Sequence, residues 1–90
     1  PPTASAKAAS WTVYVLCCAD GTLYTGCTND LPRRLRAHAR GQVKYTRGRL
    51  PVVPHHQERV PDRSAALRRE AQIKRLSRKQ KLALPASPRM

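Results

Sequence analysis

VYVLCCADGTLYTG, residues 13–26, decides how this chain folds. Two runs of β-favouring residues, Thr12–Cys18 and Thr22–Cys27, flank Ala19-Asp20-Gly21, a hairpin-turn composition. Strand side chains alternate faces and paired residues share one, so the turn's length fixes whether Tyr14 and Tyr24 meet. A two-residue Asp20-Gly21 loop pairs Ala19 with Thr22 and sends the phenols to opposite faces. A three-residue loop, with Gly21 left-handed in a bulge after a type I turn, pairs Cys18 with Thr22. Tyr14 then lies opposite Gly26 and Tyr24 opposite Leu16, all on one face. Ala-Asp-Gly suits this second geometry, and a glycine beside Tyr14 leaves room for a ligand to approach. The same pattern also fits two half-buried packing tyrosines.

Around the hairpin, the chain has the size and charge of a small polyanion-binding domain. Ninety residues make one domain that buries somewhat over ~60% of its unfolded-chain surface. Eighteen Lys and Arg against five acids give a net charge of +13, and arginine predominates. Guanidinium pairs bidentately with phosphate, so nucleic acid is the first candidate partner. No long apolar run, signal-peptide core or lipidation motif points to a membrane, and the expectation is a cytoplasmic monomer. Cys17, Cys18 and Cys27 show neither an even disulfide framework nor CxxC spacing, which favours reduced, half-buried thiols over a zinc site.

Taken in order, residues 1–10 read as a disordered lead-in, 11–84 as the folded domain and 85–90 as a frayed tail. After the hairpin, Asp30 or Asn29 can cap a helix over about 31–40, with Pro32 in its first turn and Gly41 placed to end it. Leu31, Leu35 and His38 share one stripe, and Arg34 lies one turn before His38 at its border. Lys44, Tyr45, Arg47 and Arg49 interleave positive charge with an aromatic, suiting phosphate contact plus base stacking; a solvated basic loop has the same composition. LPVVPHHQERV, 50–60, reads as a third strand that Pro54 confines to an edge or breaks, with His55 and His56 facing oppositely if it is regular. No metal pair is expected of them.

Asp62 or Ser64 caps a second helix running to about Leu76. Its apolar side is Ala66, Ile73 and Leu76, and Glu70 projects between the first two. A carboxylate there needs a partner, either a core-edge arginine or a metal ion. Ser77-Arg78-Lys79-Gln80 is a capping box for a short third helix to about Leu84. The order is β-β-α-β-α-α: an α+β fold with one small antiparallel three-stranded sheet flanked by helices.

This ordered set resembles the GIY-YIG nuclease superfamily. Val13-Tyr14 and Tyr24-Thr25-Gly26 are similar to its paired signature; Arg34, His38 and Glu70 follow in the family's order. The chain closely resembles the stand-alone YhbQ-like bacterial members, in which ADGTLYTG, KYTRGR and AALRREAQIKRLSRKQKLAL recur, and the resemblance spans about 11–84. Thr12 stands where the motif's first glycine would be, and no asparagine follows Glu70. The resemblance implies a metal-dependent endonuclease that hydrolyses DNA phosphodiester bonds, with a role in DNA repair or recombination. It implies Tyr14 as general base, Tyr24 hydrogen-bonded in the same site, Arg34 on the scissile phosphate, His38 orienting water or touching phosphate, Gly26 as a structural residue, and Glu70 carrying one Mg2+. The alternative is a non-catalytic nucleic-acid-binding module on the same fold.

Overall fold

The computed structural model describes residues 10–85; the expected lead-in and tail lie, apart from Ser10 and Pro85, outside the described residues. The elements are β1 (Trp11–Cys18), β2 (Leu23–Thr28), α1 (Leu31–Ala39), β3 (Val52–Val60), α2 (Arg63–Lys74) and α3 (Arg78–Leu82), the order read from the sequence. They form one antiparallel sheet, β2-β1-β3, so β1 is central and both its partners are edges.

The turn has the three-residue geometry. The Cys18 amide donates to Thr22 O, the Gly21 amide donates to Cys18 O, and Gly21 takes φ 85°. Tyr14 therefore pairs with Gly26 and Leu16 with Tyr24, as parity requires. Parity also divides the chemistry of the sheet. Val13 and Val15 face α2 and build the apolar core with Ala66 and Ile73, enclosed by Trp11, Leu23, Cys27, Val60, Leu76 and Leu84. Tyr14 points the other way, toward α1.

Each helix starts at a capped turn. The Asp30 side chain accepts from the Arg33 amide and Asp62 from the Ala65 amide, while Ser77 and Gln80 form the reciprocal capping box. Gly41, at φ 74°, turns the chain after α1. The second helix ends at Lys74, two residues before the expected Leu76, because the chain must straighten before Ser77 can cap α3.

Pro54 sits in an edge strand, and the register with β1 jumps there: Val15 pairs with His56 but Leu16 with Pro54, leaving His55 as an extra residue. The expected opposition of the two histidines is corrected by this bulge. His55 Nε2 lies 3.2 Å from Leu82 O and His56 Nδ1 lies 2.7 Å from Pro85 O, so both rings turn to the C-terminal segment. A different glutamate, Glu58 on β3, is the one that pairs with an arginine. Arg69 donates to both its carboxylate oxygens at 2.8 Å. This hydrogen-bonded pair holds the Glu58 carboxyl below its ordinary pKa, against the opposing effect of burial and with help from His56.

Candidate active site

The site grows from the Tyr14–Gly26 pair. A Cβ on Gly26 would lie 2.7 Å from Tyr14 Oη, 2.8 Å from its Cζ and 3.2 Å from a Tyr24 ring carbon. The space expected for a ligand is thus filled by the Tyr14 phenol itself, which lies across the glycine and is 1% exposed. Tyr24 leans against it with ring centroids 6.3 Å apart, so the two phenols share one face.

Helix α1 covers Tyr14 with Arg34 and His38, one turn apart. Arg34 Nε donates to Tyr14 Oη at 3.4 Å, and His38 Nε2 lies 3.4 Å from the same oxygen. His38 is fully buried, and its Nδ1 is 2.7 Å from Thr46 Oγ1, whose hydroxyl reaches Val43 O at 3.5 Å. With Thr46 donating to that carbonyl, Nδ1 carries the imidazole proton and Nε2 is left to accept from the Tyr14 hydroxyl. Burial, then Arg34, holds His38 below its ordinary pKa, which keeps it neutral and able to accept. Burial pushes the Tyr14 phenol up, and the Arg34 hydrogen bond partly offsets this. A phenol so placed loses its proton only with a cation and a base at hand, and both touch it.

The depressed His38 pKa carries a stability signature. The folded state binds this proton less readily than the unfolded chain, so the contribution is complete above the ordinary histidine pKa near 6.5 and is lost as pH falls through the folded value. Melting temperature is therefore expected to decline on acidification below about 6.5, and His38→Gln should flatten that limb. A melting temperature that rises on acidification through this window would contradict the buried neutral imidazole.

Beyond Tyr24 the site opens to solvent. Tyr45, 45% exposed, stacks on Tyr24 at 5.3 Å, and the Arg49 guanidinium lies 4.7 Å over the Tyr45 ring. Lys44 and Arg47 are exposed on the same chain of turns, which Val43 and Thr46 anchor in the interior. This is an aromatic platform edged by cations. Next to it a recess of about 240 Å³ is lined by Leu23, Tyr24, Thr25, Tyr45, Lys74 and Lys81. On the other flank Arg34 lines a cleft of about 460 Å³ with Asn29, Arg33 and Gln42.

Glu70 stands apart from these groups. It reaches β2 from α2, across the opposite face of the sheet, where Cys27 Sγ donates to its Oε1 at 3.1 Å and Lys74 Nζ lies 2.9 Å from its Oε2. Its partner is a lysine on its own helix, in place of the core-edge arginine expected. Burial and then the Glu70 carboxylate push the Cys27 thiol up to about 11, so it stays a donor. All three cysteines are free thiols. Among the described residues no group of three or more His, Cys, Asp or Glu is placed to hold a metal ion. Glu70 Oε2 carries the Lys74 ammonium, so a divalent ion there would have to displace it and would take one carboxylate, with water filling the rest of its shell.

The structure thus brings Tyr14, Tyr24, Arg34 and His38 together on the α1 face and sets Glu70 behind the β2 edge. Sequence reasoning passed over Thr46, Cys27 and Lys74. Thr46 lies inside the quoted KYTRGR stretch, but its link to His38 needs the tertiary fold.

Residues 10–83 match the GIY-YIG catalytic domain. A UPF0213 protein of Halobacterium salinarum is 55% identical over 73 residues, 80% of this chain and 95% of that one. Among solved structures, the solution NMR structure of protein EF2693 from E. faecalis is similar with a TM-score of 0.58 at 45% identity, covering 81% of this chain and 79% of that one. That of the UPF0213 protein BH0048 from Bacillus halodurans gives 0.52 at 44% identity, covering 80% and 78%. With its paired tyrosines, Arg34 and Glu70 in the expected order and the match spanning nearly all described residues, the chain belongs to the GIY-YIG catalytic-domain family, among its UPF0213, YhbQ-like members.

Proposed function

We propose that this protein is a metal-dependent endonuclease that hydrolyses DNA phosphodiester bonds in the cytoplasm, in repair or recombination. The observation that carries this reading is the Arg34–Tyr14–His38 chain lying next to the exposed Tyr24–Tyr45–Arg49 stack. The family is one of nucleases that generally use divalent metal ions, and its domain implies a nucleic-acid substrate. Among the described residues no helix is long and apolar enough to cross a membrane.

The geometry supports a role for each residue in this reading. Arg34 faces the cleft it lines and offers its remaining N–H groups to the scissile phosphate. Tyr14 passes its own proton to His38 Nε2 and takes one from the attacking water, whose oxygen bonds to phosphorus as one P–O ester bond breaks. A phenol of pKa near 10 is only about 0.1% ionised at pH 7, a deficit of roughly 4 kcal/mol that burial enlarges and Arg34 reduces. Thr46 fixes the His38 tautomer. Glu70 would hold the divalent ion, one Mg2+ in this reading, which would supply Lewis-acid stabilisation of the charge that develops on phosphate. Tyr45 stacks a base while Lys44, Arg47 and Arg49 meet the backbone.

The test is a panel of labelled single-stranded, duplex and branched DNAs with and without Mg2+. Cleavage that requires the ion is expected, and Arg34→Ala should lose about 10²–10³-fold in rate while also weakening binding. Binding without cleavage on every substrate would turn the reading to a nucleic-acid-binding module. On duplex DNA, five phosphate contacts predict a log–log salt slope of about −4.5; a slope near zero would point to a protein partner.

A further inference from the structure

Lys74 faces two ways. Its ammonium is paired with Glu70 Oε2 at 2.9 Å, yet the same side chain lines the recess beside Tyr24 and Tyr45. Lys81 lines that recess too, and no acid does, so an anion entering it meets two ammonium groups. Thr25 adds a buried hydroxyl with no hydrogen-bond partner among the described residues. The Lys74 side chain is 57% exposed against 17% for Glu70, so the lysine has solvent to swing into while the carboxylate is enclosed and held also by Cys27. An i,i+4 pair whose ammonium is solvent-exposed is weak, and the ammonium can exchange its carboxylate for a phosphate.

We propose that Lys74 is a plug on Glu70 that substrate removes: a nucleic-acid backbone phosphate entering the recess draws the ammonium away and frees the carboxylate for the divalent cation. This rests on the reading of Glu70 as the residue that holds that ion. Metal and nucleic acid then bind with positive coupling, and by linkage each raises the other's affinity by the same factor. The free protein holds the ion weakly, which restrains cleavage until substrate is seated. Lys74 is thus a positioning residue that acts through Glu70.

The experiment is a Mn2+ titration followed by electron paramagnetic resonance, on the full chain alone and with a cleavage-resistant all-phosphorothioate oligodeoxynucleotide. In the parent, the oligonucleotide should tighten Mn2+ binding by about 5- to 20-fold. Lys74→Met should bind Mn2+ more tightly than the parent without the oligonucleotide and lose most of the coupling, while Lys74→Arg, which keeps the cation, should retain it. Removing a positive charge would by itself tighten Mn2+ binding, so persistence of the full coupling in Lys74→Met overturns the plug. Glu70→Gln separates the two levels. If it abolishes Mn2+ binding while the Lys74 variants behave like the parent, the plug fails and the metal reading stands. If Glu70→Gln binds Mn2+ as the parent does, the metal reading fails and the plug with it.

Discussion

Glu70→Gln is expected to abolish cleavage, by about 10³-fold or more, while leaving the domain folded and able to bind DNA. The magnitude follows from the charge a bound divalent ion stabilises in the transition state, several kcal/mol at about 1.4 kcal/mol per tenfold. The structure makes the experiment clean. Glutamine keeps an oxygen for the Cys27 thiol, and among the described residues the ion pair broken is the one with Lys74, an exposed partner one turn away. Such pairs contribute about 0.3–0.5 kcal/mol, so the melting temperature should move by no more than a few degrees. Had Glu70 neutralised a half-buried arginine through two hydrogen bonds, as Glu58 does with Arg69, the loss would instead be one of stability. A folded Glu70→Gln variant that cuts as fast as the parent would end the assignment.

Gly26→Ala should damage fold and activity together. Its new Cβ would fall inside van der Waals contact of Tyr14 Oη and Cζ, and the neighbouring β1 backbone is fixed by its ladder to β2. The phenol must move, and with Arg34 and His38 packed on it any shift breaks their alignment. Overpacking of this kind costs about 1–3 kcal/mol, or roughly 5–20 °C in a domain of this size. A displacement near 1 Å at a reacting group costs about 10²-fold in rate. Adding Tyr14→Leu removes the ring carbon and oxygen that clash, so the double variant should regain stability beyond additivity while staying inactive. A Gly26→Ala protein with parental melting and parental rate would show that Tyr14 is not held against that glycine.

The hairpin was legible in the sequence because turn chemistry fixes register and register fixes faces. Ala19-Asp20-Gly21 therefore placed Tyr14 and Tyr24 together before any tertiary contact was known. Arg34 and His38 were legible for a similar reason: one helical turn separates them, and a single cap sets the rotation of α1. Glu70 shows where such local rules end. Helical spacing tells which side of α2 it occupies but not which face of the sheet α2 covers, so Cys27 could not be paired with it; Lys74, four residues on along the same helix, was readable from spacing and was passed over. His55 and His56 failed differently. Period-two alternation holds only while register holds, and the slip at Pro54 depends on how β3 meets β1.

That slip also bears on how the protein behaves at high concentration. A three-stranded sheet has two open sides, and an uninterrupted side invites a strand from another molecule to continue the ladder. Along β3, Pro54 offers no amide and His55 is out of step, so an incoming strand would find its hydrogen bonding broken near the middle. Arg59 adds an exposed charge farther along. The residues that make this strand look poor on paper thereby protect the fold from edge-to-edge aggregation, and straightening it with Pro54→Val would exchange colloidal safety for regularity.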